Sequence, residues 1–218
     1  YFDLEVSNNG KILDIGAVNQ NGDIFHSSVL GEFLKFISSA EYLCGHNIVS
    51  HDIKYLKPFL KKSYKLIDTL YLSPILYPER PYHNLVKDDK IISDQLNNPL
   101  SDSLKAKQLF EDELERFNSL LENVKRAYYD LLSGSGHFKG FFDFVQYSIS
   151  RLSYLFNSKA DNISDILKDM VCSKAHISRI VDSNPTELAY AIAIIRTGDR
   201  YSITPAWVKH QFPLVDNI

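Results

Sequence analysis

The chain has 218 residues, of which 44% are hydrophobic, and a formal net charge of −3 at pH 7. This length can bury a substantial core as one domain with an appendage or as two small domains, and the weak negative charge does not by itself indicate a polyanion partner. The two cysteines, Cys44 and Cys172, have no metal-type spacing, which argues against a disulfide scaffold and a cysteine metal site. No apolar run reaches membrane length, which argues against a membrane partner. Together these features predict a cytoplasmic protein.

The N-terminal segment predicts a three-stranded meander. Its strands are residues 1–6, 11–18 and 23–30. Residues 19–22, with the sequence NQNG, are a strong hairpin turn signal. In a strand at residues 1–6, Asp3 and Glu5 share one face while the apolar side chains between and beside them occupy the other. Taken alone, such a pair is explained more simply by a solvated strand face than by a functional site.

Helix and strand patterns follow one another in the next part of the chain. They predict a helix at 33–38, a strand at 41–44, a helix at 53–62 and a strand at 66–69. Together with the meander, these elements predict an α/β fold in which a mixed five-stranded sheet is flanked by helices.

Two further carboxylates stand beside turn residues. Residues 45–47, Gly-His-Asn, lie where a predicted strand gives way to a helix, and their histidine and asparagine side chains can brace the turn by hydrogen bonds; Asp52 follows at the start of that helix. Residues 97–104 open a predicted helical run that extends through Phe117, and Asp102 lies near its first turn. Taken singly, Asp52 suits a capping or surface role and Asp102 a favourable position on the helix dipole.

The order and spacing of these acidic motifs resemble those of a known family. Residues 2–5 (FDLE), 45–52 (GHNIVSHD) and 98–102 (NPLSD) look like the three motifs of the DnaQ-like 3′–5′ exonucleases that have a four-carboxylate, DEDD-type site. The Asp-Thr pair at 68–69, at the end of a predicted strand, is also similar to this family. The resemblance extends over roughly residues 1–117, and it implies that the predicted sheet is ribonuclease H-like.

The resemblance implies hydrolysis of a nucleic acid from its 3′ end, with DNA the expected substrate. Two Mg²⁺ or Mn²⁺ ions about 4 Å apart can activate water and neutralise the phosphoryl group, and carboxylates are suitable ligands for them. Asp3 is expected to bridge both ions. Glu5 and Asp102 are expected to hold the ion that activates water, and Asp52 the ion on the leaving-group side. The candidate nucleic-acid contacts are His46, Asn47 and Lys54.

One position departs from the family pattern. Where histidine-bearing members have a histidine that deprotonates the attacking water, five residues before the last carboxylate, this chain has Asn97, and the position used by tyrosine-bearing members is Asn98. A carboxamide can position water but has no usable basicity near neutral pH. Three explanations stay open: His83 acts as a substitute base, metal-bound water ionises with little help, or the site binds nucleic acid without cutting it.

Beyond the acidic motifs the sequence changes character. Residues 111–132 predict a charged amphipathic helix that ends at the sequence SGSG, and the aromatic side chains of residues 138–156 suit core or interdomain packing better than base stacking. Further helices are predicted at 161–171, 175–182, 186–196 and 205–212. The predicted domains are an exonuclease domain at 1–135 and a helical accessory subdomain at 136–218.

Parts of the second domain resemble the region that joins an exonuclease domain to the motor of certain bacterial RecQ-family helicases. They are residues 137–142 (HFKGFF), 184–191 (NPTELAYA) and 201–208 (YSITPAWV). The sequence has no GxxxxGK[ST] loop, so the motor would lie elsewhere in a longer polypeptide. The implied partners are a nucleic-acid 3′ end and such a motor. The alternative function is a catalytically degenerate exonuclease fold that serves as a nucleic-acid or partner-binding module.

Lysines gather after the second acidic motif. They are Lys54, Lys57, Lys61, Lys62 and Lys65. Two interpretations stay open, a solvated helix face and a set of phosphate contacts.

Overall fold

The computed structural model describes residues 1–85, 98–150, 157–168, 170–172, 176–198 and 203–217. The chain is an α/β protein, as predicted, and divides into two compact units, Tyr1–Tyr71 with Asn84–Glu113 and Leu72–His83 with Leu114–Ile218. This division by packing does not coincide with the domain boundary predicted near residue 136. The independence of residues 1–135 as a domain stays a prediction.

The predicted meander is present in the first unit. Its antiparallel strands are β1 (Phe2–Val6), β2 (Ile12–Val18) and β3 (Ile24–His26), paired in that order. Gly22 adopts φ 92° in the turn between β2 and β3, and the Asn19 side chain donates to Asp23 Oδ2 at 2.7 Å. The third strand is shorter than predicted because Ser27 Oγ accepts from the Val29 amide at 3.1 Å and turns the chain toward the first helix.

The alternation of β1 separates a core face from a polar face. Buried side chains of β1 join the core cluster, which consists of Phe2, Leu4, Ile15, Ala17, Phe33, Ile37, Leu43, Ile48 and Leu56. Asp3 and Glu5 therefore point to the opposite face of the sheet. In the β1–β2 register Asp3 is paired with Gly16 and Glu5 with Asp14, so these two residues of β2 share the polar face.

The remaining strands form a separate pair, which corrects the prediction of one five-stranded sheet. β4 (Tyr42–Gly45) and β5 (Lys65–Asp68) are parallel, and among the described residues no ladder of hydrogen bonds joins them to the meander. β1 and β4 approach each other at Gly45, where an added Cβ would lie 2.6 Å from the Phe2 carbonyl oxygen. The backbones thus approach closely at this point without continuous pairing.

Among the described residues, four α-helices have residues in the first unit. They are α1 (Leu30–Phe36), α2 (Ile53–Leu56), α3 (Thr69–Leu76) and α4 (Pro99–Ser119), of which α3 and α4 also have residues in the second unit. The helix predicted at 53–62 is shorter in the structure, since α2 gives way to a 3-10 turn at Lys57–Phe59. Pro58 explains the change because it has no backbone N–H to continue an α-helix.

The described part of the second unit is helical. Besides the ends of α3 and α4 it contains α5 (Glu122–Leu132), α6 (Lys139–Val145), α7 (Lys159–Leu167), α8 (Ile177–Ser183), α9 (Pro185–Ile195), α10 (Ala206–Gln211) and a 3-10 turn at Val215–Asn217. The helix predicted at 111–132 is interrupted between α4 and α5, where Leu121 is extended and Ser119 Oγ donates to the Arg116 carbonyl at 2.7 Å.

Aromatic side chains fill the core of the second unit. Phe138, Phe141 and Phe142 are buried, and the rings of Phe117 and Phe141 meet edge to face at 5.1 Å. This packing confirms the predicted core role for these three side chains, whereas Phe144 and Tyr147 are half-buried. No helix in the described ranges has the length and apolar character needed to cross a membrane.

Candidate active site

An open cleft of about 590 Å³ in the first unit is lined by most of the predicted site residues. Its lining consists of Asp3, Leu4, Glu5, His46, Asn47, His51, Asp52, Asn84, Leu85 and Asp102. All four predicted carboxylates therefore meet here, together with the histidine and asparagine of the predicted turn. The described lining includes no lysine or arginine.

Asp102 is carried to the cleft by the first turn of α4, which packs directly on β2 at Gly16. A Cβ on Gly16 would lie 2.0 Å from the Leu100 backbone nitrogen and 2.1 Å from the Pro99 carbonyl carbon, so only glycine permits this approach. Because Gly16 is paired with Asp3, the contact brings the start of α4 beside the first carboxylate. The role of Gly16 is not among the predictions from the sequence, although a glycine inside a strand is a signal of close backbone approach.

The start of α4 is fixed by Asn98, whose side chain caps the helix. Asn98 Oδ1 accepts hydrogen bonds from the backbone amides of Leu100 at 3.1 Å and Ser101 at 3.2 Å. The Asn98 carbonyl oxygen also accepts from the Asp102 amide at 3.1 Å. This capping explains the asparagine at this position without a catalytic role.

Replacement of Asn98 by alanine is expected to lower the free energy of unfolding by about 1 kcal/mol, because two amides of the first turn lose their acceptor. Asn98→Ser, which retains a capping oxygen, is expected to unfold close to wild type. Urea titrations followed by circular dichroism compare the two variants. Equal stability of the alanine and serine variants would contradict the capping role.

Asp52 is tied to the strand that carries the first two carboxylates. It is 1% exposed, and its Oδ1 accepts a hydrogen bond at 3.1 Å from the amide of Leu4, which lies between Asp3 and Glu5. Burial raises the pKa of the Asp52 carboxyl. His51 Nδ1 lies 3.5 Å from the same oxygen, and this carboxylate neighbour raises the pKa of His51.

Asp68 anchors the turn that leads to Asp52. This buried carboxylate, at the end of β5, accepts hydrogen bonds from the backbone amides of Asn47 at 2.7 Å, Val49 at 3.0 Å and Leu70 at 3.0 Å. The bonds hold Asn47 at φ 63°, a left-handed conformation that asparagine tolerates. Burial raises the pKa of Asp68 to about 6, even though the three hydrogen bonds oppose the rise.

His46 is fixed by the residue next to Asp68. His46 Nδ1 lies 2.9 Å from Thr69 Oγ1, and Thr69 Oγ1 donates to the Gly45 carbonyl at 3.3 Å. The turn-bracing role predicted for His46 thus has a partner on α3. The role of the Asp-Thr pair in positioning the turn is not predictable from the local sequence, because its hydrogen bonds to the turn join residues more than 20 positions apart.

Asp68→Ala is expected to lower the free energy of unfolding at pH 7 by about 2–4 kcal/mol, because it leaves three amides without their acceptor. The raised folded-state pKa means that the folded chain holds the Asp68 proton more tightly than the unfolded chain between about pH 4 and 6. The Asp68 contribution to stability is therefore largest below this range and falls as the pH rises through it. Urea unfolding should show a larger penalty at pH 4 than at pH 7, whereas an equal penalty would contradict the raised pKa.

His83, the candidate substitute base, lies outside the cleft. His83 is 7% exposed in the second unit, where its Nδ1 lies 2.8 Å from Ser73 Oγ, and it is not among the residues that line the cleft. Burial lowers the pKa of His83 to about 4. Its catalytic role stays a prediction, and the ring as placed has a structural partner instead. Asn97 lies outside the described residues.

The predicted nucleic-acid contacts differ in whether they line the cleft. His46 and Asn47 line the cleft, whereas Lys54 does not. Lys54 is exposed on α2, with its ammonium 4.8 Å from the centre of the Tyr55 ring. His51 also lines the cleft, although no role is predicted for it from the sequence.

The chemistry of the donor set fits a hard divalent cation. Four carboxylates share a cleft whose described lining holds no lysine or arginine, and their oxygens are the ligands that Mg²⁺ and Mn²⁺ prefer. In the part of the chain that the structure describes, no three His, Cys, Asp or Glu side chains stand close enough to form a metal-binding group as placed. The donors therefore suit such an ion by their chemical type and by their location in one cleft.

Comparisons of the chain with protein-family models, with curated proteins and with solved structures found no match.

Proposed function

We propose that this chain is a metal-dependent 3′–5′ exonuclease of the DnaQ-like, DEDD type, which hydrolyses nucleic acid, with DNA the expected substrate, and releases nucleoside 5′-monophosphates. The observation that carries the proposal is the meeting of Asp3, Glu5, Asp52 and Asp102 in one cleft. These residues come from three separate segments of the sequence. Acidic residues that only face solvent need not lie near one another. Two-metal phosphodiester hydrolysis, in contrast, uses carboxylates that lie together in one site.

The proposal includes a ribonuclease H-like fold. In that arrangement β1 and β4 are neighbours, and the close approach of Gly45 to the Phe2 carbonyl supports this neighbourhood. The antiparallel meander followed by the parallel pair β4–β5 agrees with the strand directions that such a fold requires.

The carboxylates would hold two Mg²⁺ or Mn²⁺ ions. Asp3 is the proposed bridging ligand, Glu5 and Asp102 the further ligands on the side of the attacking water, and Asp52 the ligand on the leaving-group side. When bound, such ions lower the pKa of water and neutralise the charge on the transferring phosphoryl group. The hydrogen bond from the Leu4 amide fixes Asp52 Oδ1 relative to the strand that carries Asp3 and Glu5.

The other cleft residues would bind and orient the end of the strand. His46 and Asn47 lie on a turn that is held by Thr69 and Asp68, so they are positioned to contact the terminal nucleotide with little loss of side-chain freedom. Asn84 and Leu85 contribute an amide and an apolar side chain to the lining. Their roles are to orient the sugar and base while the carboxylates face the scissile phosphate.

Proton transfer from the attacking water is proposed to proceed without a dedicated histidine. Asn97 would position water, and His83 would take part only after leaving its hydrogen bond to Ser73. The expected consequence is a slow enzyme. Asn97→His is therefore expected to raise kcat at pH 7.5 by about tenfold or more, since a positioned general base is typically worth 10²–10⁴-fold. His83→Ala should leave kcat within a few-fold of wild type, and a complete loss would make His83 the base.

A binding module is the second candidate function. It is favoured by the nonbasic Asn97 and by the burial of His83, whose pKa is lowered to about 4. On this alternative the cleft receives a 3′ end or a partner without cleavage. The resemblance of the second domain to helicase-linked sequences would then make the chain a positioning module for a helicase motor in the same longer polypeptide.

The test of these alternatives is a nuclease assay with end-labelled oligonucleotides. DNA with a 3′ overhang, DNA with a 5′ overhang and matching RNA are incubated with the chain and Mg²⁺, Mn²⁺ or EDTA, and Asp102→Asn is the matched inactive variant. Stepwise metal-dependent shortening from the 3′ end, lost in Asp102→Asn, is the expected result. No shortening with either ion would refute the exonuclease proposal, and retained binding of the same oligonucleotides would favour the binding module.

A further inference from the structure

The lysines after the second acidic motif are not equivalent. Lys62 Nζ donates to the Ser38 and Ala40 carbonyls at 2.8 and 2.7 Å, and Lys65 Nζ lies 2.9 Å from Glu41 Oε1. These two cations are therefore used within the fold. Lys54, Lys57 and Lys61 are exposed, and within the described ranges none of the three has a carboxylate partner. Of these, Lys54 lies on α2 and Lys57 on the 3-10 turn that continues it. Their charges remain available to a ligand.

Two contacts connect Lys54 with the cleft. His51 lines the cleft, and its ring meets the Tyr55 ring edge to face at 5.7 Å. Lys54 Nζ lies over the same Tyr55 ring at 4.8 Å. Lys57 follows three residues after Lys54 in continuous helical backbone, so both project from the same side of α2 and its 3-10 extension.

A polyanion that enters the acidic cleft needs positive charge nearby. The described lining holds four carboxylates and no lysine or arginine, so the cleft by itself repels the phosphates that flank the reacting one. Lysines beside single-stranded nucleic acid supply affinity by neutralising phosphates and releasing their counterions. Lys54 and Lys57 are suited to this role because Lys54 lies over the ring that contacts His51 of the cleft, Lys57 follows three residues later, and neither is paired with a carboxylate among the described residues.

We infer that Lys54 and Lys57 form a phosphate-binding surface, the α2 surface, which holds the backbone of a single-stranded nucleic acid whose 3′ end occupies the cleft. This inference rests on the proposed function only for the statement that the cleft receives a strand. It assigns affinity to the α2 surface and chemistry to the carboxylates. The α2 surface therefore acts without metal, whereas hydrolysis requires it.

The experiment measures binding in EDTA, where cleavage does not occur. Fluorescence anisotropy follows a labelled 20-nucleotide oligo-dT, and in parallel oligo-rU and a blunt duplex, at 50 to 200 mM KCl. The test variant is Lys54→Gln/Lys57→Gln. The matched control, Lys35→Gln/Lys139→Gln, removes the same charge from two other exposed lysines on α1 and α6.

The test variant is expected to bind oligo-dT about 10- to 30-fold more weakly than wild type at 100 mM KCl. Its plot of log Kd against log salt should be flatter by about 1.4, because each phosphate contact on a single strand contributes about 0.7 to the slope. The control variant should stay within twofold of wild type. The comparison of oligo-dT with oligo-rU identifies the preferred sugar.

The inference would be overturned by the absence of oligo-dT binding to wild type at 50 mM KCl or by equal binding to wild type and the test variant. An equal loss of affinity in the control variant would overturn it too. A preference for the blunt duplex over both single strands would also overturn it. Failure of the exonuclease assay would leave a positive binding result intact, because the binding assay contains no metal.

Discussion

Asp3→Asn is expected to reduce the metal-dependent 3′ exonuclease activity at least about 1,000-fold, which corresponds to about 4 kcal/mol of lost transition-state stabilisation. Asparagine keeps the size of aspartate but removes the negative charge with which the proposed bridging ligand would hold both ions. The substitution should not disturb the core, since Asp3 lies on the polar face of β1 and its neighbours Phe2 and Leu4 remain buried. Initial rates on a labelled single strand with saturating Mn²⁺ measure the effect.

Asp14→Asn is the matched control for this prediction. Asp14 lies opposite Glu5 on the adjacent strand, but its carboxylate pairs with His26 at 2.8 Å and does not line the cleft. This variant should retain activity within about threefold, since the reacting groups are unchanged. An equal loss of activity in Asp3→Asn and Asp14→Asn would attribute that loss to the change in net charge. Full activity in Asp3→Asn would contradict the assignment of Asp3 as the bridging ligand.

Gly16→Ala is expected to destabilise the chain and to inactivate it. The added Cβ would lie 2.0 Å from Leu100 N and 2.1 Å from the Pro99 carbonyl carbon, which are backbone atoms and cannot rotate away. The start of α4 must therefore move, at a cost of about 1–3 kcal/mol or more for overpacking. Because that turn carries Asp102, a displacement of about 1 Å is expected to reduce activity by about 100-fold. Urea unfolding and exonuclease rates measure the two effects.

Gly31→Ala provides the comparison. Gly31 lies in α1, and an added Cβ there meets nothing within 4 Å. Alanine at this position should leave activity unchanged and raise stability slightly, by about 0.5–1 kcal/mol, since it limits the unfolded chain. If Gly16→Ala behaved like Gly31→Ala in both measurements, the close packing of α4 on β2 would be refuted.

Local features of the fold were predictable from the sequence because short-range chemistry determines them. The NQNG turn sets the β2–β3 hairpin, and alternation in residues 2–6 sets the face of Asp3 and Glu5. The capping residue Asn98 and the following Pro99 mark the start of α4, and this boundary locates Asp102 in the first turn.

Other features depend on contacts between distant segments and were missed or misplaced. The role of Gly16 becomes visible only when α4 packs on it, and that of Asp68 only when β5 lies beside the turn after β4. The sequence predicted five strands and the pairing of the first three, but not the separation of β4 and β5 from the meander, since that depends on how closely β1 and β4 align along their lengths. His83 was a base candidate because its loop leads toward the third acidic motif, and its burial against Ser73 is a property of the packed chain.

The central claim is that Asp3, Glu5, Asp52 and Asp102 together form a divalent-metal site, and Mn²⁺ binding tests it most directly. Titration of the chain with Mn²⁺, with free ion followed by electron paramagnetic resonance, does not depend on turnover or on the identity of the base. Saturable binding by wild type and Asp14→Asn, together with at least tenfold weaker binding by Asp3→Asn and Asp102→Asn, is the predicted result. Absent binding by wild type, or equal binding by all four proteins, would contradict the account.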